Sequence, residues 1–268
     1  MFFTHYTKRL LTNKSLWGWG VLYMLFFLTL GGLVVSSSIS KSNIHVVLGY
    51  TATWYALTNL TSLSTLAISI AYSLLYSTHS LAYCFRYTKL KPSSYIANVV
   101  CSSMTMGVVL SVIMLAATYV IFSQRFGAMV TPSNPALAVG LASLSGIFMF
   151  ALSTFLVLTL VNTIGLKNQN FVSFIPFILS YGFGFTQLYT PLPKALIYAS
   201  PFTSIQDLLY HAYSGYPVTA ALTNPSTPTI QTQYLALSLV AWIILLIMVD
   251  AFMVRRIKPR SIEEGRQV

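Results

Sequence analysis

Long apolar stretches alternate with short polar connections along almost the whole chain. A helix needs about 20 mostly apolar residues to cross the hydrocarbon core of a bilayer. The connections are too short or too apolar to form a soluble domain, so the pattern predicts one all-α polytopic membrane domain over residues 1–268. We predict six transmembrane helices, at Leu16–Val35, Trp54–Tyr76, Ile96–Phe122, Ala136–Ile164, Phe171–Leu188 and Tyr234–Val254.

The residues ahead of the first span have an amphipathic pattern. Between positions 1 and 14, apolar side chains recur every three or four residues, and polar side chains fall between them. Such a helix lies in the plane of the membrane interface, with its basic residues near anionic headgroups. We therefore predict an N-terminal amphipathic interfacial helix over residues 1–14, and the alternative is a disordered basic tail. The apolar face consists of Phe2, Phe3, Tyr6 and Leu10.

The amino-acid composition excludes most soluble folds. Apolar residues make up 56% of the chain and charged residues only 7%, whereas a soluble domain carries about 25% charged residues. So few charges cannot cover the surface of a compact water-soluble protein of 268 residues. The apolar excess must face lipid, which makes membrane lipids a predicted partner.

The basic residues indicate how the chain is oriented. The net charge is +11, from 15 Lys and Arg against 4 Asp and Glu. These basic residues fall in the short connections and not on a soluble nucleic-acid-binding fold, so we expect no nucleic acid among the partners. Lys and Arg are retained on the cytoplasmic side of a membrane. Six spans place twelve basic residues on the side of the termini and three on the other, which predicts a plasma-membrane protein with both termini in the cytoplasm.

The chain carries no recognisable catalytic or metal-binding motif. It has no His-Glu-x-x-His, no Gly-x-Ser-x-Gly and no Gly-x-x-x-x-Gly-Lys-[Ser/Thr] phosphate loop. Cys84 and Cys101 have no disulfide or metal spacing. We expect no enzyme activity, cofactor or metal in this chain. Asp250 is the one acid within a span, and we expect it to pair with Arg255 or Arg256 at the membrane edge, with a functional role as the alternative.

The second span has a polar face. Hydroxyl and amide side chains recur there every three or four residues, which aligns them on one side of a helix. Small polar residues allow helices to approach closely and to hydrogen-bond across the contact, and they equally suit a polar translocation pathway or a dimer interface. The sequence leaves these alternatives open for Thr58, Asn59, Ser62, Thr65 and Ser69.

The predicted cytoplasmic connection at residues 78–95 mixes aromatic and basic side chains. Pro92 ends any helix that precedes the third span, and Ser93 or Ser94 is expected to cap the helix that follows. A short helix that presents aromatic and cationic side chains suits the docking of another protein. Ordinary anchoring at the membrane interface is the alternative.

The longest predicted external connection, residues 189–233, is itself partly apolar. Prolines end the fifth span, and two apolar pieces follow that are each too short to cross the membrane. Ser200-Pro201 separates them as a turn, with Pro201 as the first residue of the second helix. We predict a re-entrant or interfacial helical hairpin, in which Asp207 and His211 form a weak pair one turn apart. The two pieces are Lys194–Ala199 and Phe202–Tyr213.

Together these features resemble the membrane (permease) subunits of ABC type-2 transporters. That family has an amphipathic N-terminal helix, six spans, a cytoplasmic coupling helix between spans two and three, and an external helical hairpin between spans five and six. Leu90-Lys91-Pro92-Ser93 is similar to the end of the family's coupling segment. The family's Leu-Pro … Asn/Ser-Pro-[Leu/Phe]-Thr signature is similar to Pro191-Leu-Pro193-Lys-Ala-Leu-Ile-Tyr-Ala-Ser200-Pro201-Phe-Thr-Ser204.

The chain departs from the family in two places. Many members carry an acidic segment ahead of the Pro-Ser pair, whereas Thr78–Tyr87 contains no acid. Many also have an Arg in the last external helix, where this chain has Tyr210 or His211. The first departure affects how this chain would bind an ATPase. The second affects how its external gate would be held closed.

The resemblance implies an exporter whose energy source is a separate subunit. Two copies of this chain, or this chain and a paralogue, would form the pathway as a dimer. Cytoplasmic ABC ATPase subunits would bind ATP and Mg, dock on the coupling segment and, by closing, open the external hairpin. The implied docking residues are Arg86, Tyr87, Lys89, Leu90, Lys91 and Pro92, and the implied external gate residues are Pro191, Pro193, Ser200, Pro201, Phe202, Asp207 and His211.

Two other function classes stay open. The chain could be a non-transporting structural or assembly subunit of a larger membrane complex, in which case no ATPase would accompany it. It could also be an intramembrane enzyme, which the lack of paired catalytic groups disfavours.

Overall fold

A computed structural model describes residues 2–39, 43–88, 90–160, 169–224 and 226–255. Within this part of the chain, six helical segments are long and apolar enough to cross a membrane. The protein is therefore an all-α polytopic membrane protein, and each predicted span overlaps one of these segments. They cover Leu16–Ser37, Ile44–Ser77, Pro92–Phe126, Pro135–Thr159, Phe171–Tyr189 and Thr232–Val254.

Most of the described residues are helical, and the helices differ widely in length. The α-helices are α1 (Phe2–Leu11), α2 (Tyr23–Thr29), α3 (Ile44–Tyr87), α4 (Pro92–Phe126), α5 (Pro135–Thr159), α6 (Gln169–Tyr189), α7 (Lys194–Ala199), α8 (Pro201–Ser214) and α9 (Thr232–Val254). A short antiparallel ribbon pairs β1 (Val218–Thr219) with β2 (Thr229–Ile230). The predicted fourth span extends to residue 164, and its residues 161–164 lie outside the described part of the chain.

The first span and α3 run antiparallel. Ser62 Oγ donates to the Gly20 carbonyl oxygen at 2.6 Å, and Tyr50 OH donates to the Gly31 carbonyl oxygen at 2.8 Å, so the order of contacts is reversed between the two segments. The alternation of spans gives the bundle two ends. The N-terminal face carries α1 and residues 83–88 and 90–95, and the hairpin face carries α7, α8, β1 and β2.

Glycines allow the first span to approach its neighbours closely. A Cβ atom on Gly20 would lie 2.2 Å from Thr65 Oγ1, and a Cβ atom on Gly32 would lie 2.7 Å from Ile121 Cγ2. The span also winds partly in wider turns, which the apolar pattern did not predict. π-Helical turns at Leu16–Leu22 and Leu30–Val34 flank α2, and a 3₁₀ turn follows at Val35–Ser38.

α3 is the longest helix and lies at the centre of the bundle, in contact with the first span, α4, α5, α6 and α8. It begins ten residues before the predicted second span, because the Asn43 side chain caps it by accepting from the His45 N–H at 3.0 Å. At its other end it continues to Tyr87, since no Gly or Pro interrupts the sequence before Pro92. Residues 78–87 therefore extend the second span, and the prediction of a separate short helix there is wrong.

α4 starts earlier than predicted and has a different cap. It begins at Pro92, since proline fits the first turn of a helix. Lys91 is the N-cap residue and makes no side-chain capping bond, so Ser93 and Ser94 lie inside the first turn and the prediction that either caps the helix is wrong. Gly127 ends α4 in the left-handed conformation, with φ of 68°.

α7 and α8 connect the fifth and sixth spans. Their bounds lie close to the two expected pieces, and Pro201 is the first residue of α8. Gly215 ends α8 with φ of 73°. Thirteen of the fourteen residues of α8 are buried, because the helix packs against α3, α5, α6 and α9. α8 is thus an internal element of the bundle and not a surface loop.

Candidate functional site

A cavity of about 530 Å³ opens at the hairpin face. Four parts of the chain form its walls: the end of the first span, the start of α3, the end of α6, and the region from α8 to β2. Its volume falls within the range of about 300–1,000 Å³ that is usual for small-molecule sites. Six of the lining side chains carry aromatic rings, namely His45, Tyr50, Trp54, Tyr189, Tyr210 and Tyr216.

Backbone hydrogen bonds hold the loop wall of the cavity against the end of α6. The N–H of Leu222 donates to the Gln187 carbonyl oxygen at 3.1 Å, and the N–H of Thr223 donates to the Leu188 carbonyl oxygen at 3.2 Å. The Leu192 N–H donates to the loop in turn, at the Ala220 carbonyl oxygen. Because these bonds satisfy the last carbonyls of α6, the loop and the helix end form one continuous wall.

Aromatic pairs shape the inner surface of the cavity. The ring centroids of Tyr50 and Trp54 are 6.3 Å apart, with an interplanar angle of 61°. The rings of His45 and Tyr216 are 5.5 Å apart at 48°, and His45 Nδ1 lies 2.6 Å from the Tyr216 hydroxyl oxygen. Spacings of 4.5–7 Å with tilted planes are favourable for aromatic pairs. The pair that includes Tyr216 ties the start of α3 to the loop after α8.

Three hydroxyl groups of the cavity donate hydrogen bonds to backbone carbonyls. Tyr50 OH donates to the Gly31 carbonyl oxygen at 2.8 Å, and Thr53 Oγ1 donates to the Gly49 carbonyl oxygen at 2.9 Å. Thr219 Oγ1 likewise donates to its neighbour in the loop, at the Ala221 carbonyl oxygen. A hydroxyl group has one proton and two lone pairs. These oxygens can therefore accept hydrogen bonds from a ligand but not donate to it.

A row of aromatic rings lies in the groove between the first span and α6. The rings of Phe27 and Phe185 join the two segments at 6.3 Å. Neighbouring rings continue the row on each side, at spacings of 5.2, 5.0, 4.3 and 6.2 Å for Trp19–Tyr23, Tyr23–Phe27, Tyr181–Phe185 and Phe177–Tyr181. Together with Met24, this row covers part of the polar face of α3 at Thr58 and Thr61.

The predicted gate residues lie beside the cavity and do not line it. Ser200, Pro201, Phe202 and Asp207 are buried within the bundle. The Phe202 ring packs edge-on against Phe148 at 5.6 Å and parallel to Phe183 at 6.1 Å. Of the remaining gate candidates, Pro191 and Pro193 are exposed and His211 is half-buried.

The predicted pair of Asp207 and His211 is wrong. Asp207 Oδ1 accepts a hydrogen bond from Gln187 Nε2 at 2.7 Å, and His211 Nδ1 lies 2.8 Å from the Tyr216 carbonyl oxygen. The spacing of one turn is present, but one side chain points to α6 and the other to the loop. Complete burial raises the pKa of the Asp207 carboxyl well above its usual range, and the Gln187 hydrogen bond opposes that rise.

Further unpartnered oxygens surround Asp207. Asp207 Oδ2, Gln187 Oε1 and Gln206 Oε1 are buried, and none has a hydrogen-bond partner within the described ranges. Gln206 Nε2 donates to the Gly184 carbonyl oxygen at 3.2 Å, so both glutamines connect α6 with α8. Buried polar groups without partners are costly, which makes this contact a weak point between the fifth span and the hairpin.

The polar face of the second span is packed inside the protomer. Asn59 Nδ2 donates to Tyr55 OH at 2.9 Å and to Ser111 Oγ at 3.2 Å, and Ser62 bonds the first span, as described above. The remaining hydroxyls on this face mostly donate to carbonyls one turn back in α3, as Thr58, Thr65 and Ser69 do. This burial favours the packing alternative within one chain. A role in a pathway or a dimer interface stays a prediction.

The docking candidates lie at the N-terminal face. Arg86, Tyr87 and Lys91 are exposed, whereas Leu90 and Pro92 are half-buried. The rings of Tyr83 and Tyr87 stack at 6.5 Å, so two aromatic side chains form one exposed patch at the end of α3. Lys89 lies outside the described residues.

Asp250 does not have the expected partner. The side chain is fully buried, and neither carboxyl oxygen has a hydrogen-bond partner within the described part of the chain. Arg255 is exposed and does not reach it. Arg256 lies outside the described residues.

Sequence reasoning missed the residues that form the cavity. Its rings come from four separated parts of the chain, and aromatic residues near the ends of spans are also typical of ordinary membrane anchoring. The run of polar residues in the second span was a stronger signal, but those residues are packed inside the protomer and do not line this cavity. Among the described residues no group of three or more His, Cys, Asp or Glu side chains could hold a metal ion.

No protein-family model matches the sequence, and no curated protein matches it significantly.

Proposed function

We propose that this chain is the permease subunit of an ATP-driven ABC exporter in the plasma membrane. The observation that carries the proposal is the position of α8, a short helix between the fifth and sixth spans that packs into the bundle beside a ligand-sized cavity. A hairpin inserted in this way can open or close one end of a pathway without a change in the number of spans. The order of the elements from α1 to α9 supports the proposal, because it follows the layout of the type-2 permeases.

The charge distribution supports an orientation with the N-terminal face in the cytoplasm. Twelve basic residues fall on the side of the termini and three on the other side. In this orientation Lys8 and Arg9, both exposed on α1, meet the anionic headgroups of the inner leaflet. The opposite face of α1 packs on the bundle, where Thr7 Oγ1 donates to Ser102 Oγ at 3.0 Å. The cavity then opens toward the outside of the cell.

α3 offers a mechanical link between an ATPase and the cavity. The helix runs without interruption from Trp54, in the cavity wall, to Tyr87, in the docking patch. At 1.5 Å per residue this distance is about 50 Å. An ATPase would bind ATP and Mg and close against Tyr87. Because Tyr87 and Trp54 belong to one continuous helix, this closure would also move the part of the cavity wall that α3 forms. The weak contact between Asp207 and α6 would then let the hairpin move outward and release the substrate.

The pathway itself would form between two permease subunits, which are copies of this chain or this chain and a paralogue. The exposed apolar side chains of the first span and α6 suit such a contact as well as they suit lipid, among them Trp19, Phe26, Phe174 and Ile178. The chain supplies no catalytic group of its own in this scheme. ATP hydrolysis belongs to the partner ATPase.

The proposal is tested by purifying the tagged chain from its own host and measuring ATP hydrolysis. We expect a soluble subunit with a phosphate loop to co-purify, and Tyr87→Asp combined with Leu90→Asp to lower the hydrolysis at least tenfold, because a carboxylate would be buried in an apolar contact. Met129→Asp is the matched control, since Met129 and Tyr87 are each 80% exposed but lie at opposite faces. Purification of a membrane complex without an ATPase would instead support a structural subunit.

A further inference from the structure

The lining of the cavity at the hairpin face selects for charge as well as for size. Among the described residues that line it there is no Asp, Glu, Lys or Arg. The aromatic side chains that line it include Tyr50, Trp54, Tyr189 and Tyr210. The face of an aromatic ring carries negative potential and attracts a cation within about 6 Å.

Three hydroxyl groups of the cavity have the same preference. The hydroxyls of Tyr50, Thr53 and Thr219 donate to backbone carbonyls, so each oxygen has only lone pairs left and can act toward a ligand only as a hydrogen-bond acceptor. An anionic ligand would find neither a basic side chain such as Lys or Arg nor a free hydroxyl proton at these three positions. A positively charged ligand would meet rings and acceptor oxygens.

The volume of the cavity and the cost of desolvation restrict the class of ligand further. A volume of about 530 Å³ admits a drug-sized molecule. A small inorganic cation would lose its hydration shell without a carboxylate to replace it, which is costly. A quaternary ammonium group is weakly hydrated and is the type of cation that aromatic cages bind.

We infer that this cavity is a binding site for organic cations that carry an ammonium group on an apolar ring body. The inference rests on the proposed function only in making this ligand the exported substrate, because the cavity is complete within one chain. His45 is the one lining side chain in the described ranges that can carry a positive charge. Binding is therefore measured at pH 8, above the range in which histidine usually takes up a proton.

Three probes of the same shape separate charge from apolar contact. They are biphenyl rings that carry a trimethylammonium group, a neutral tert-butyl group or a sulfonate group. Saturable binding to the purified full-length chain in lipid nanodiscs is measured by equilibrium dialysis, with empty nanodiscs subtracted. We expect the ammonium probe to bind at least tenfold more tightly than either of the other two. Equal binding of the neutral probe would overturn the inference and indicate a site for uncharged lipid-like molecules, and preference for the sulfonate would overturn it as well.

Tyr189 provides the variants that locate the binding. Its side chain lines the cavity at the end of α6 and is 60% exposed, so its substitution does not disturb the core. Tyr189→Leu removes the ring and should weaken the ammonium probe roughly tenfold, whereas Tyr189→Phe keeps the ring and should leave binding unchanged. Tyr76→Leu is the control, because Tyr76 is 66% exposed and lies far along α3 from the cavity.

The outcomes distinguish this inference from the exporter proposal. No saturable binding of the ammonium probe, or equal loss in Tyr189→Leu and Tyr76→Leu, would overturn the cation site and leave the ATPase measurements untouched. Ring-dependent binding in a chain that purifies without an ATPase would support the site and contradict the exporter.

Discussion

Gln187 on α6 donates a hydrogen bond from its Nε2 atom to Oδ1 of Asp207 on α8, at 2.7 Å, and both side chains are fully buried. This bond joins the fifth span to the helical hairpin. The second oxygen of Asp207 and the side-chain oxygen of Gln187 have no partner in the described part of the chain. The contact is therefore specific in geometry but poorly satisfied, which suits the separation of these two elements in the proposed transport cycle.

The buried carboxyl group of Asp207 should make stability depend on pH. Burial raises the pKa of Asp207 well above its usual range, so the folded protein holds a proton that the unfolded chain releases above about pH 4. Ionisation of Asp207 does not lower the free energy of unfolding below that pH. The free energy of unfolding falls as the pH rises through the pKa that Asp207 has in the folded protein. Asp207→Asn keeps the acceptor oxygen and cannot ionise. We expect its melting temperature to equal that of the parent near pH 4 and to exceed it above pH 7.

The measurement for Asp207 is thermal unfolding in detergent across pH 4–9. Parallel curves for the parent and Asp207→Asn would show that Asp207 is not held protonated by burial. A lower melting temperature for the variant at every pH would show that the charged form is the stable one.

Close packing of α4 on α5 should make Gly107 intolerant of even one methyl group. A Cβ atom there would lie 2.6 Å from the Ala142 backbone oxygen, and backbone cannot move aside as a side chain can. We expect Gly107→Ala to lower the free energy of unfolding by about 1–3 kcal/mol. Gly140→Ala, where nothing lies within 4 Å of the added atom, should be neutral or stabilising by up to about 1 kcal/mol. Equal effects in denaturant titrations of the two variants would contradict this packing.

Burial of the polar face of α3 predicts that it is closed to water. Ser62 Oγ bonds the Gly20 carbonyl oxygen at 2.6 Å and is fully buried. In a background with Cys84→Ser and Cys101→Ser, Ser62→Cys should react with a water-soluble maleimide at less than about a tenth of the rate of Met129→Cys, because a buried thiol is not reached by the reagent. Rapid labelling of Ser62→Cys would favour a water-filled pathway along this helix.

Orientation in the membrane is tested with the same cysteine-free background. Tyr87→Cys and Met129→Cys are equally exposed positions at opposite faces of the bundle. A membrane-impermeant maleimide added to intact cells should label Met129→Cys and should reach Tyr87→Cys only after the cells are permeabilised. The reverse pattern would invert the proposed orientation and place Tyr87 and the other docking candidates outside the cell.

The amino-acid sequence predicts the spans well and the side-chain contacts poorly. Apolar length identified the six helices in the described part of the chain that are long and apolar enough to cross a membrane, because the cost of an unsatisfied backbone in lipid leaves few other structures. The start of α3 at Ile44 depends on one capping residue, Asn43, and a hydropathy pattern does not detect a helix cap. The positions of the prolines predicted α7 and α8. They did not predict that the Asp207 side chain contacts Gln187 on α6.

The cavity illustrates what pattern alone could not supply. Trp54 and Tyr189 are 135 positions apart in the sequence and meet in one site only because α3 and α6 pack together. The hydroxyls of the second span gave a clear helical period, yet most of them satisfy carbonyls of their own helix. Which polar face lines a ligand site is decided by the neighbouring helices and not by its own sequence.

The most direct test of the exporter is to identify what touches Tyr87 in the cell. A photo-crosslinking amino acid is placed at Tyr87, with the same substitution at Met129 as the control, and the chain is expressed in its own host. Irradiation should join the Tyr87 position to a soluble ATPase that carries a phosphate loop and should give no such product from Met129. A product without a phosphate loop, or no product at Tyr87 beyond that seen at Met129, would contradict an ATP-driven permease.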